Sequence, residues 1–131
     1  MSCVVDHTLL SDHASGGAYL SAAIARCLEL RHMLVVPVPS VLAAATAHPR
    51  ASERLAWLLH DDLQAVIKIQ EITGADAITI ASTVGHQPTP DPAEYALQAS
   101  VVWAARNLQL PVLTFHEKVY EPYGVATHRT P

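Results

Sequence analysis

Cys3-Val4-Val5-Asp6-His7-Thr8-Leu9-Leu10 opens with three apolar residues in a row, then a carboxylate, then a second apolar pair. A run this short and apolar at every position fits a strand covered on both faces, because a half-exposed strand would alternate. Met33-Leu34-Val35-Val36, closed by Pro37, repeats the pattern. So does Leu110 to Thr114, where Pro111 stands early enough in the strand to be tolerated. Leu63 to Ile67, after a turn at Asp61-Asp62, reads as one more short strand, and Tyr123 to His128 as an edge strand or a tail.

Helical spacing fills the intervals. Thr8-Leu9-Leu10 starts a short helix, and Ser11 to Gly17 reads as a polar loop. Between Ala18 and Arg31 the residues Leu20, Ala23, Ile24, Cys27 and Leu28 recur at one helix face, with Ser15 as the expected N-cap. Ser40 is expected to cap a helix from Val41 to Ala47. Ser52 is expected to cap another that buries Leu55, Leu58 and Leu59. Ile69 to Val84 suits a helix by Ile72, Ile80 and Val84, although Asp76, Ile78 and Ile80 also alternate like a strand; the helix is taken, with Gly85 just past its end. His86 to Pro92 holds three prolines and reads as a loop. Asp91-Pro92-Ala93-Glu94 then supplies an N-cap, a proline at N1 and a glutamate at N3, ahead of a stripe of Leu97, Val101, Ala104 and Leu108.

Strands alternating with helices predict an α/β fold with a small, mostly parallel sheet, helices on both sides, and a single domain over 1–131 whose core spans about 2–116. In such sheets ligands bind in the crevice outside the carboxyl ends of the strands. Asp6, the Pro37-to-Ala47 region and His116 are placed there.

Composition bounds the function. The chain has 131 residues, 50% apolar and 15% charged, with a formal charge of −4 from eight basic and twelve acidic residues. These values exclude a disordered chain, and no apolar run approaches the ~18 residues of a membrane span. No basic face is available to dominate binding to a nucleic acid backbone. Met1 to Asp6 carries no basic region before an apolar stretch, so no signal peptide is expected. Cys3 and Cys27 read as two buried thiols of a reducing cytoplasm. The alanine-rich, arginine-biased composition hints at a GC-rich bacterial genome.

Three stretches resemble the PIN domain family, metal-dependent nucleases best known as toxins of bacterial toxin–antitoxin pairs. Val4-Val5-Asp6-His7-Thr8-Leu9-Leu10 looks like the family's opening strand, aspartate and short helix. Leu34 to Ala45 looks like its second strand and helix, and Gln98 to His116 like its late helix, last core strand and closing Thr-x-Asp. The resemblance implies a three-layer α/β/α domain and three or four carboxylates holding Mg²⁺ or Mn²⁺. Asp6 matches the first carboxylate. The second falls on Ala43, the third on Gln98 and the fourth on His116.

That loss bears directly on the chemistry. Mg²⁺ is a hard ion that takes oxygen ligands, and phosphodiester hydrolysis of this kind needs the metal to activate water and offset phosphate charge. A lone carboxylate with an amide and an imidazole offers −1 where the family offers −3 or −4. Glu94, one turn before Gln98 and roughly 6 Å along the axis, is the possible replacement, but it also suits the N3 place of a capping box. Asp6 and His116 fit either a transition-metal pair or a buried hydrogen-bonded pair. His7, Asp12 and His13 read as solvated loop residues, Glu117 as pointing away from the site, and Trp57 and Trp103 as core. No H-E-x-x-H, G-x-S-x-G or glycine-rich phosphate loop is present. The expectation is a degenerate PIN-like domain without nuclease activity and without a cofactor, acting in the cytoplasm as an interaction or regulatory module. Its expected partner is a second copy or a small antitoxin-like protein, not a membrane. The alternative is a Mg²⁺- or Mn²⁺-dependent endoribonuclease acting on RNA through Asp6, Glu94 and His116.

Overall fold

The sheet follows from the valine-rich runs. In a computed structural model, which describes residues 2–85 and 91–129, five parallel strands lie in the order β3-β2-β1-β4-β5. β1 is Cys3–Val5, β2 Leu34–Pro37, β3 Ile67–Gln70, β4 Val112–Leu113 and β5 Thr127–His128. Val4 pairs with Val35 on one side and Val112 on the other, which places β1 at the centre. Among the described residues the helices are α1 (His7–Ala14), α2 (Tyr19–Leu30), α3 (Val38–Ala47), α4 (Ser52–Trp57), α5 (Gly74–Thr83), α6 (Pro92–Leu108) and α7 (Glu117–Tyr120). None is long and apolar enough to cross a membrane.

The two-residue period of the strands sorts the core into two layers. Cys3, Val5, Leu34, Val36 and Leu113 face Leu9, Leu10, Leu20, Ile24, Cys27 and Leu55 from α1, α2 and α4. Val4, Val35 and Val112 face Ile80 of α5, Val101 and Val102 of α6, and Tyr120 and Tyr123. The molecule is thus an α/β fold in three layers, as the short apolar strands predict. Cys3 and Cys27 are buried free thiols.

Several local expectations shift. The predicted loop at Ser11–Gly17 is helical as far as Ala14, because His13 and Ala14 turn inward and complete the buried face of α1. Ser15 does not cap α2; its hydroxyl donates to the Ser11 carbonyl and closes α1. Ser40 lies inside α3, which starts at Val38 with Pro39 in its first turn. Ser52 is likewise the first residue of α4 rather than its cap. The predicted strand at Leu63–Ile67 begins only at Ile67, after a short 3₁₀ turn at Asp61–Leu63. α5 starts at Gly74, where Thr73 and Asp76 exchange side-chain and backbone bonds in a capping box. Leu28, Leu59 and Leu108 are exposed, and so is Trp57, which the sequence reading places in the core and which instead stacks on His13 at 5.5 Å. The core also extends past 116, since Tyr120 and Tyr123 are buried. Of the loop read at His86–Pro92, residues 86–90 lie outside the described residues.

Candidate functional site

Asp6 directly follows β1 and is the N-cap of α1, so the strand delivers its carboxyl group to the sheet's carboxyl edge while the backbone turns into the helix. It is 1% exposed. Oδ1 accepts from the Thr8 backbone N–H at 3.0 Å and from the Thr8 hydroxyl. Oδ2 accepts from the Thr114 hydroxyl and from the Tyr120 phenol at 3.0 Å. A carboxylate offers about four lone-pair positions, and four donors use them. The ring of contacts is closed by His116, whose backbone N–H donates to Thr114 Oγ1 at 2.9 Å. Thr8 and Thr114 thereby join α1 to the end of β4, and Tyr120 pins α7 to β1.

The Tyr120 phenol is pushed far above its ordinary range, first by burial and then by the charge and hydrogen bond of Asp6. It remains a donor at every physiological pH, which is what an ionised Asp6 in an apolar surrounding requires.

A cavity of about 160 Å³ opens beside this knot and is lined by Asp6, His7, Thr8, Glu94, Gln98, His116, Val119 and Tyr120. The structure therefore brings together four of the residues singled out from sequence: Asp6, Glu94, Gln98 and His116. It does not bring Ala43, which faces a different cavity between α3, α5 and α6. The expected direct pair of Asp6 with the His116 imidazole is replaced by the Thr8, Thr114 and Tyr120 donors; His116 takes part through its backbone. Glu94 does not close a capping box. Its Oε1 accepts from Gln98 Nε2 at 3.4 Å, one turn along α6, while Asp91 alone caps the helix through Ala93 N–H. Asp12 and His13 belong to α1, and His13 is buried with Nε2 3.0 Å from the Arg54 carbonyl. Glu117 pairs with Arg129 at 3.0 Å.

Thr8, Thr114 and Tyr120 are the members that sequence reasoning missed, and His7, read as a solvated loop residue, lines the cavity instead. Thr8 carried a signal, since Asp-x-Thr at a helix start places a hydroxyl and an N–H within reach of the cap carboxylate. Tyr120 carried none, being 114 residues from Asp6.

The donor set fits a hard divalent ion poorly. Asp6 would have to surrender bonds from Thr8, Thr114 or Tyr120 before its oxygens could ligate. Gln98 is neutral, and Ala43 has no donor atom. Among the described residues no three of His, Cys, Asp and Glu converge in a way that could hold a metal ion. Two larger cavities, of about 610 Å³ each, lie elsewhere. No protein-family model matches the chain, and no curated protein matches it.

Proposed function

We propose that the chain is a PIN-like domain without nuclease activity that serves as an interaction or regulatory module, with a second copy of itself or a small protein as partner. The observation that carries this reading is the state of Asp6. The one carboxylate that matches the family's metal-binding positions is spent on four internal hydrogen bonds that hold β1, α1, β4 and α7 together. A carboxylate used in this way supports a structural role for the former centre.

The competing reading, a metal-dependent endoribonuclease, draws on the fact that Asp6, Glu94 and His116 line one cavity. Titration calorimetry with Mn²⁺ and Mg²⁺, run beside an RNA cleavage assay on the same sample, separates the two. The proposal expects neither heat of binding nor cleavage. Mn²⁺-dependent cleavage abolished by Glu94→Ala and by His116→Ala, whose side chains are exposed and not part of the Asp6 knot, would overturn it.

A further inference from the structure

A polar concavity lies away from Asp6, between the end of α1, the α3–α4 turn and α4. Its cavity of about 610 Å³ is lined by His48, Arg50, Glu53 and Arg54, with alanines and Pro49 between them. It shares no lining residue with the Asp6 cavity. A chain with a formal charge of −4 here sets two arginines and an imidazole against one carboxylate. Three other arginines are already committed. Arg26 and Arg129 pair with Glu29 and Glu117, and Arg106 donates to the Val84 and Tyr123 carbonyls. Among the described residues neither Arg50 nor Arg54 forms an ion pair.

Arg54 is held in place from two sides. Its Nη1 donates to the Ala14 carbonyl at the end of α1 at 3.1 Å, and its own backbone carbonyl lies 3.0 Å from His13 Nε2. Gly16 makes room for the guanidinium, since its φ is +96° and a Cβ there would stand 3.0 Å from Nη1. Among the described residues Nε and Nη2 make no hydrogen bond. Arg50 is set by the turn between α3 and α4, where the Ala51 N–H donates to the His48 carbonyl at 3.0 Å. Planar forks of N–H donors match the oxygens of a phosphate group. Arg54 and Glu53 also line a neighbouring cavity of about 350 Å³, whose wall includes Trp57 and His13. Trp57 is 40% exposed, and His13 backs its ring with 26° between the planes. It follows Arg54 by three residues in α4, so the two side chains share one face. An indole held open beside a guanidinium is a flat apolar platform for a ring joined to the anion. The larger cavity alone falls within the ~300–1,000 Å³ of small-ligand sites, more space than a bare phosphate fills.

We infer that this groove binds a phosphomonoester attached to a planar ring, the chemistry of a nucleoside monophosphate, with the phosphate on Arg50, Arg54 and His48 and the ring on Trp57. The inference goes beyond the interaction-module reading and does not depend on it. Two arginines in one concavity make a point of positive charge, which suits one phosphate group; a polymer backbone needs a row of such contacts. Glu53 works against affinity, because its carboxylate lines both cavities and repels the anion.

The test is titration calorimetry of the full chain with adenosine monophosphate, ribose phosphate, inorganic phosphate and adenosine. The nucleotide is expected to bind one to one and more tightly than each of the other three. Arg50→Ala, at an exposed turn position, is expected to weaken it about tenfold by loss of charged hydrogen bonds. Trp57→Ala is expected to weaken it about fivefold by loss of stacking. Glu53→Gln is expected to tighten it. Arg26→Ala removes the same charge outside the groove and is expected to leave binding unchanged. Unchanged melting of the Arg50 and Glu53 variants, both on exposed positions, will show that the fold is intact. Absence of nucleotide binding overturns the inference. So does binding of inorganic phosphate and nucleotide with equal affinity and no effect of Trp57→Ala, which leaves an adventitious anion contact only. Equal weakening by Arg26→Ala and Arg50→Ala reduces it to net charge and also overturns it. A single-stranded RNA that binds through the same arginines more tightly than the nucleotide, with a steep salt dependence, overturns it in favour of a polymer groove. No residue of this groove lines the Asp6 cavity, so Mn²⁺-dependent cleavage defeats the functional reading alone, and absent nucleotide binding defeats the groove alone.

Discussion

Asp6 decides the account at the scale of single residues. Its four donors come from Thr8, Thr114 and Tyr120, so removing the carboxylate strands buried polar groups as well as losing bonds. Asp6→Asn is expected to cost about 3 kcal/mol in urea unfolding, and Tyr120→Phe about 1–2 kcal/mol. Because the two groups share one bond, Tyr120→Phe is expected to cost at least 0.5 kcal/mol less in an Asp6→Asn background, by about the size of a contact coupling. Full additivity would show that the knot contributes no coupling. Cys3 gives a second residue-level expectation. Burial, the largest cause, raises its thiol from 9.0 to about 11. The fold favours the neutral thiol, so this contribution is complete below pH 9 and is lost as pH rises toward 11. The loss is about 2 kcal/mol by pH 11, and Tyr120, whose ordinary value is 10.0, adds to it in the same sense from pH 10 upward. Urea midpoints measured from pH 7 to 11 should stay level to pH 9 and then fall, with a shallower fall in Cys3→Ala. A wild-type midpoint that stays level to pH 11 would contradict the assignment.

At the scale of elements, stability depends on end groups as well as apolar faces. α5 is closed by the Thr73–Asp76 box and α6 by Asp91, so Thr73→Ala and Asp91→Ala are each expected to cost about 1 kcal/mol, readable as a shift in urea midpoint at constant slope. β1, β2 and α6 could be read in advance, because Val4-Val5 and Val35-Val36 are buried on both faces and Asp91-Pro92 marks a helix start by its own chemistry. β3 was misplaced because Leu63-Gln64-Ala65-Val66-Ile67 is the more apolar run, whereas the true strand, with the exposed Lys68, draws its bonds from β2 instead of from burial. The end of α1 was hidden because Ser11-Asp12-His13 is polar, and only tertiary contact with Arg54 shows why His13 turns inward. The site was legible as positions and not as bonds. Asp6, Gln98 and His116 follow from strand ends and helix register, whereas Thr114 and Tyr120 reach Asp6 across 108 and 114 residues, a closure no local pattern encodes.

At the scale of the whole molecule, α6 stands between two cavities. Glu94 and Gln98 line the Asp6 cavity, while Ala96 and Ala99 face the one shared with α3 and α5. The sheet edge that would serve a metal is drawn closed by hydrogen bonds, and the opposite side of the same helix is left open and apolar. The proposed function rests on Asp6 holding the fold together and binding no ion. Thermal unfolding in the presence and absence of millimolar Mn²⁺ tests that claim most directly, since an ion bound only by the folded state stabilises it by RT ln(1 + c/Kd), where c is the free Mn²⁺ concentration. The account predicts the same melting temperature with and without Mn²⁺, and a lower one for Asp6→Asn under both conditions. A Mn²⁺-induced rise of several degrees in the wild type, absent from Asp6→Asn, would contradict it.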